Sequence, residues 1–360
     1  MIAIIGAGPA GNYCAYLLAK AGYDVNVYEE HIDIGKPVQC TGLVTDTIND
    51  IIKIPESIIM ARIKFAKIIS PNKDFVTIEF DRPNLVLNRC AFDQHLANLA
   101  KESGAVYHMG HRFIDGDSTR IILKEDDMTH TINYDTLIGA DGPATTVGRC
   151  FNLVTKHDIM FGAQARIIMK DLPMDTLEFY PIQNGYKWVV PEGNDVGRIG
   201  IAVYQKANEI FTEFLHTRCG DQIILEYQGG VIPKYNPKLK TAKSNVLLIG
   251  DAASQVKWTT GGGIIQGLIA ASCAAKSIIE KKKYKKLWKK ELSNELWMHM
   301  KIRNAMDKFS DEDYNKLIEL TKQDKIMKIL GSHDRDKITK FILKILFKEP
   351  RYLKFAGKAL

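Results

Sequence analysis

The chain has 360 residues, enough for two or three closely joined domains around a sizeable core. With 46% hydrophobic and 25% charged residues it reads as globular rather than disordered, and no apolar run is long enough to cross a bilayer. The formal charge of +7 is lopsided: residues 276–360 carry a net +11 and residues 1–275 a net −4. The six cysteines (Cys14, Cys40, Cys90, Cys150, Cys219, Cys273) are scattered without a C-x-x-C pair. They read as reduced thiols, with no disulfide framework or metal signature. Because residues 1–5 already look like a buried strand, no targeting segment is expected, and the expected location is cytoplasmic.

The opening alternates as a doubly wound α/β domain does. Residues 2–5 form a short apolar strand, 9–21 a helix and 24–29 a second strand. A Gly- and Pro-containing loop runs to Gly42, and 88–104 reads as a helix with Phe92, Leu96 and Leu99 on one stripe. β-rich segments lead to a strand at 136–140 and the turn Asp141-Gly142. Strands at 161–169, 177–180, 186–190 and 199–204, joined by others near 63–70 and 75–80, predict a separate antiparallel sheet. Residues 245–250 return to a buried strand of parallel type, a helix starts at the Gly261 run, and from 277 the chain is helical and basic.

The expected fold class is therefore α/β. A Rossmann-like nucleotide-binding domain comprises residues 1–60, 84–150 and 242–276. An inserted antiparallel β-sheet domain takes 61–83 and 151–241, and a basic helical C-terminal region takes 277–360.

Gly6-Ala7-Gly8-Pro9-Ala10-Gly11 follows a strand and opens a helix. Gly6 permits the tight turn, Gly8 lets the backbone approach a pyrophosphate, and Gly11 allows close helix–strand packing. The helix start at Ala10 offers free N–H groups and a positive dipole end. Glu29, with Glu30 beside it, closes the second strand 18 residues after Gly11, where a carboxylate can accept hydrogen bonds from ribose hydroxyls.

The type of nucleotide is suggested further along. Val246-Leu247-Leu248-Ile249-Gly250-Asp251-Ala252-Ala253 is a strand ending in Gly-Asp at another helix start. Here the chain resembles the glutathione-reductase-like FAD proteins, and more closely the p-hydroxybenzoate hydroxylase group. The resemblance implies non-covalent FAD with Asp251 on its ribityl chain. It also implies Arg89, followed by Asp93, near the pyrophosphate, and Asp141-Gly142 within the Gly139-Ala140-Asp141-Gly142 segment. Ala144 stands where that group often has a basic residue, and Gly148 precedes Arg149. No second G-x-G-x-x-G is present, so NAD(P)H and a ferredoxin-type electron-donor protein both remain open as reductants.

Further motifs resemble the geranylgeranyl reductase family, above all the archaeal digeranylgeranylglycerophospholipid reductases. Gly185-Tyr186-Lys187-Trp188-Val189-Val190-Pro191 is similar to that family's Y-x-W-x-F-P, with Val190 for Phe. Pro37-Val38-Gln39-Cys40-Thr41-Gly42 is similar to its P-x-x-C-x-G. Gly250 through Gly261-Gly262-Gly263-Ile264 is similar to its G-D-A-A…P-T-x-G-G-G-I, with Ser254 for Gly and Trp258 for Pro. The resemblance covers residues 1–275 well and the tail poorly. It implies reduction of isolated C=C bonds in prenyl lipid chains, with Cys40 and Gly42 near the flavin.

An isolated alkene has no carbonyl to accept charge. Its reduction calls for a dry apolar channel that fixes the double bond against the flavin. Tyr186 and Trp188 alternate with Lys187 on a strand, so both rings face one side and suit such a channel, although ordinary core aromatics would look the same. Cys40 reads either as a thiol acting at the flavin or as a plain buried cysteine. Gly261-Gly262-Gly263 places bare N–H groups at the helix start at Ile264, suited to negative charge on a reduced ring.

In the tail, Lys281–283, Lys285, Lys286, Lys289 and Lys290 interleave with Tyr284 and Trp288, and Lys337, Lys340, Lys344 and Lys348 with Ile338, Phe341, Ile345 and Phe347. Peripheral membrane binding and docking on the body with a solvated lysine face are both consistent with this. Nucleic acid is not an expected partner, since no recognition motif accompanies the charge. Two other functions share the fold: a flavin monooxygenase or halogenase, and a prenyl-binding carrier without catalysis.

Overall fold

The computed structural model of the chain describes residues 1–359. Strand Ile2–Ile5 is buried at all four positions, as an apolar run between two covering layers should be. It lies inside a six-stranded sheet whose order is Ala242–Lys243, Val246–Leu248, Thr136–Gly139, Ile2–Ile5, Val25–Glu29, Val106–Met109. All neighbours pair in parallel except the antiparallel edge strand Ala242–Lys243.

Helices Pro9–Lys20, Arg89–Glu102 and Ile264–Ile279 cover one face. The other face is covered by a three-stranded antiparallel sheet (Arg112–Gly116, Arg120–Glu125, Met128–Asn133) and the short helix Thr146–Cys150, through Phe113, Ile121, Leu123 and Val147. Asn88 caps the second helix by accepting a hydrogen bond from the Ala91 N–H.

The second large sheet has eight strands, ordered Ile224–Pro233, Ile159–Ile168, Val196–Val203, Gly185–Gly193, Thr176–Ile182, Ile59–Ile69, Phe75–Leu87, Leu43–Val44. Its pairs are antiparallel apart from the central Thr176–Ile182 and Ile59–Ile69 pair. Strand Phe75–Leu87 runs past residue 80, where the sequence Asp81-Arg82-Pro83-Asn84 looks like a turn. The register passes from Ile63↔Asn84 to Phe65↔Glu79, so residues 80–83 bulge out of the ladder, where the missing Pro83 N–H is tolerated. This sheet also takes in residues 43–44 and 84–87, which the sequence pattern assigned to the nucleotide domain. Helix Ala207–Cys219 seals one side through Phe211 and Phe214.

The first tail helix, Tyr284–Met306, docks on the body. Tyr284, Trp288, Leu292 and Leu296 enter the main core, while Lys285, Lys286 and Lys290 stay exposed. The Trp288 indole donates to Thr241 Oγ1 at 2.8 Å and the Tyr284 hydroxyl to the Leu248 carbonyl at 2.9 Å. Among the described residues no helix is long and apolar enough to cross a membrane.

Candidate cofactor and substrate site

Gly6 has φ +103°, and a Cβ there would stand 2.5 Å from the Ala140 carbonyl oxygen. A Cβ on Gly11 would lie 2.0 Å from the Gly6 oxygen, so both glycines are required by close backbone approach. Gly8 meets nothing within 4 Å and is the N-cap of helix Pro9–Lys20, which has neither a side-chain cap nor an acid in its first turn. An uncapped helix start headed by an open glycine suits a pyrophosphate.

Glu29 lies at the adjoining strand end. One carboxylate oxygen accepts from the Ala7 N–H at 2.7 Å and the other from the His31 N–H at 3.0 Å. Glu30 is exposed beside it. Behind the turn, buried Asn12 donates to the Ala7 and Asp93 carbonyls and accepts from the Tyr107 hydroxyl, a brace that no sequence motif announced.

Arg89, at the start of its helix, forms a buried ion pair with Asp93 at 3.0 Å, while its Nε is buried without a partner among the described residues. Asp141 is committed locally: it accepts from Thr145 Oγ1 and the Thr146 and Val147 N–H groups, fastening the following short helix. Gly142, beside it, has φ +73°.

Gly250-Asp251 closes over the phosphate turn, since a Cβ on Gly250 would stand 3.1 Å from that of Ala10. Burial raises the Asp251 carboxyl to about 6, partly offset by the positive charge of Arg89. The glycine run returns to the same place. A Cβ on Gly263 would be 2.8 Å from Asp251 Oδ1, and one on Gly261 (φ +69°) would be 2.6 Å from the Tyr186 hydroxyl. Gly262 is bridged to Lys257. Ile264 then opens helix Ile264–Ile279, whose N-terminus again lacks a side-chain cap.

On the eight-stranded sheet, the Tyr186 and Trp188 rings are 5.7 Å apart on one face. Trp188 lies across Gly200 on the paired strand, where a Cβ would be 2.3 Å from its ring. Met160, Tyr186, Ala202 and Trp258 form a buried cluster flanked by Phe179, Trp188, Tyr204 and Ile232. Trp258 is thus a wall of this aromatic cluster.

The Cys40 loop joins the two sheets. Gly42 has φ +76°, and a Cβ there would be 2.4 Å from the Leu87 oxygen; its N–H points to Cys40 Sγ at 3.3 Å. Buried Arg198 donates to the Cys40 carbonyl at 3.0 Å and the Thr41 carbonyl at 2.8 Å, and is itself paired with Glu192. The Cys40 side chain lies within electrostatic reach of both Arg89 and Tyr186. Cys40, Arg89, Asp251, Gly261–263 and Tyr186 therefore meet at one junction, with Trp188 next to Tyr186.

The tail supplies parts that the sequence pattern did not reveal. Arg303, fully buried, places its guanidinium 5.6 Å from the Tyr186 ring centre and donates to the Gly185 carbonyl at 2.6 Å. The His299 ring is 2.6 Å from Thr259 Oγ1. Asp336 accepts from Thr45 Oγ1 at 2.6 Å and Gln266 Nε2 at 2.8 Å, and pairs with Lys257.

The residues present fit a flavin dinucleotide. Two uncapped helix starts, an open Gly8 and a partly buried carboxylate with no donor among the described residues lie close together and lead to the aromatic cluster.

Comparison with known proteins agrees with this geometry. Residues 4–41 match the family model described as NAD(P)-binding Rossmann-like domain. The chain is 29% identical over 401 aligned positions to digeranylgeranylglycerophospholipid reductase 1 of Methanococcoides burtonii, covering 99% of this chain and 97% of that one. The corresponding reductase of Methanocaldococcus jannaschii is 28% identical, with 98% and 96% covered. Among solved structures, a geranylgeranyl bacteriochlorophyll reductase-like protein of Thermoplasma acidophilum superposes with a TM-score of 0.85 at 23% identity, covering 100% of this chain and 98% of that one.

Proposed function

We propose that this chain, a relative along nearly its whole length of the archaeal digeranylgeranylglycerophospholipid reductases, is an FAD-dependent enzyme that reduces isolated C=C bonds in geranylgeranyl chains of ether phospholipids. The observation that carries the reading is the junction itself. A ribityl-type acid and an uncapped glycine run lie against a buried Tyr186 whose strand also presents Trp188.

When bound and reduced, FAD supplies the hydride for one alkene carbon. The protein's part is to orient and to protect. Tyr186, Trp188 and Trp258 exclude water and offer flat surfaces to a prenyl chain. Burial raises the Tyr186 phenol well above its usual value despite Arg303, so it stays protonated. Its O–H and the Cys40 thiol are the protic groups available for the second carbon. The N–H groups heading helix Ile264–Ile279, which have no side-chain cap, would favour negative charge on a reduced flavin held there.

The lipid must be met at a surface. Helix Ile338–Lys348 and the residues after it expose Leu343, Phe347 and Leu353, and Lys340, Lys344, Lys348 and Lys354 are exposed around them. We read this edge as a peripheral contact with anionic membrane. Electrons come from outside the chain, from NAD(P)H or a ferredoxin-type protein.

The test is to incubate chemically reduced, FAD-loaded protein anaerobically with geranylgeranyl ether phospholipids and weigh the products. Product masses should increase by one hydrogen pair per reduced bond. Unchanged lipid masses, or added oxygen or halogen in aerobic assays, would overturn the proposal.

A further inference from the structure

Away from the flavin groove, the three-stranded sheet gathers two imidazoles and a carboxylate. The hairpin pairs Leu123 with His130 and Glu125 with Met128, so Glu125 and His130 are diagonal neighbours on the face to which buried Leu123 belongs. Arg112 pairs with Lys124, which brings His111 opposite Glu125 on that same face. Glu125 Oε2 lies 3.0 Å from His130 Nε2 and 3.6 Å from His111 Nε2, and all three candidate ligand atoms fall within 4.8 Å of one another. A tetrahedral ion at about 2.0–2.2 Å from nitrogen and oxygen ligands holds them roughly 3.3 Å apart, which matches this spacing.

The hydrogen bond at the far side of the ring fixes the tautomer of His111. Its Nδ1 is 2.8 Å from the Met109 carbonyl, which can only accept, so Nδ1 carries the proton and the Nε2 lone pair faces the carboxylate. Two acceptors facing each other need a cation between them or a proton on the ring. A ring fixed through its outer nitrogen by a backbone carbonyl is the arrangement found around metal-bound histidine. His111 is further held between the rings of His108 (5.8 Å) and His130 (5.5 Å), and His108 stacks on Tyr28. The three side chains are 16%, 37% and 36% exposed, so an ion can enter and keep water as a fourth ligand.

We propose that His111, Glu125 and His130 bind a borderline divalent ion of the zinc class. Mixed imidazole and carboxylate donors suit zinc, nickel or copper better than magnesium or calcium. The His111 N–H donates to the Glu29 carbonyl at 2.8 Å, so the ion fastens the hairpin 120–133 to the strand end that carries Glu29. The site is independent of whatever the flavin groove catalyses.

The experiment uses full-length protein stripped with a chelator, then titrated with Zn2+ against a chromophoric competitor and separately with Co2+. The expected result is one equivalent bound, a rise in Tm with zinc, and Co2+ visible bands without thiolate charge transfer. His130→Gln and Glu125→Gln should each weaken binding at least about tenfold, whereas His95→Gln, on a different element, leaves it unchanged. Circular dichroism of each variant separates lost ligation from lost folding. No binding at micromolar zinc, equal affinity in folded His130→Gln and Glu125→Gln, or a thiolate band marking cysteine ligation would overturn the assignment.

Discussion

Asp336, in the basic C-terminal region, forms a buried ion pair with Lys257, in the loop between Asp251 and the glycine run. Thr45 and Gln266 also donate to Asp336, so one tail carboxylate ties together the Cys40-side segment, the helix after the glycine run and the loop between. Removing one partner of such a pair strands the other charge, at a loss of about 3–5 kcal/mol. Asp336→Asn is therefore expected to lower Tm by several degrees, measured by thermal unfolding with and without FAD. Adding Lys257→Met should recover much of the loss.

Acid should destabilise the protein in two stages. Burial lowers the His299 imidazole to about 3, whereas the unfolded chain takes up that proton near the ordinary value of about 6.5. Its contribution is full above about 6.5 and is lost as pH falls toward 3, by at most about 1.4 kcal/mol per pH unit. Asp336 is held well below the carboxylate range by Lys257 and its hydrogen-bond donors, against the opposing effect of burial. Its share is lost only below the ordinary carboxylate value of about 3.9. Urea unfolding at stepped pH should show both stages, and His299→Gln should flatten the first.

Asp251 works in the opposite sense. With its carboxyl raised to about 6, the ligand-free fold loses stability as pH rises from the ordinary carboxylate value of about 3.9 to about 6, and the cost is constant above that. Ribityl hydroxyls that donate to the carboxylate favour the ionised form, so FAD affinity should rise as pH rises through about 6 and then level off. Fluorescence titration from pH 5 to 8 checks this, and Asp251→Asn should bind more weakly with no such step.

Gly200 tests the aromatic wall separately from the flavin groove. Gly200→Ala would put a methyl 2.3 Å from the present position of the Trp188 ring and force it to move, an overpacking cost of about 1–3 kcal/mol. FAD affinity should be nearly unchanged while lipid reduction falls at least about tenfold, since a small misplacement beside the reacting atoms is expensive.

The membrane contact predicts a separation of another kind. Leu343→Glu with Phe347→Glu should abolish flotation with anionic vesicles, yet leave reduction of detergent-dispersed lipid intact. Loss of both would mean that the helix is needed for the fold.

Much of the groove was legible because backbone constraints write themselves as fixed residue types. Gly6, Gly11, Gly42 and Gly261 are required by close approach or positive φ, and such positions stand out in a single chain. The Tyr186 and Trp188 pair was legible from strand alternation. The sequence pattern ends strand Phe75–Leu87 near residue 80, and the structure carries it on through Pro83 by means of a bulge. Arg198, His299, Arg303 and Asp336 were missed for a different reason. A buried polar or ionisable side chain has the same letter as a solvated one, and only tertiary partners tell them apart. The hydrogen bonds of the Asp141 carboxylate to Thr145, Thr146 and Val147 were not legible, since a motif records a position and not its local partners.

The most direct test follows the flavin rather than the lipid. FAD-loaded protein is reduced with dithionite, freed of excess reductant and mixed without oxygen with geranylgeranyl ether phospholipid while the flavin absorbance is recorded. The oxidised spectrum should recover in step with the number of double bonds lost, and Gly200→Ala should slow that recovery strongly. A flavin that binds at Asp251 yet stays fully reduced in the presence of saturating lipid would contradict the proposed reaction.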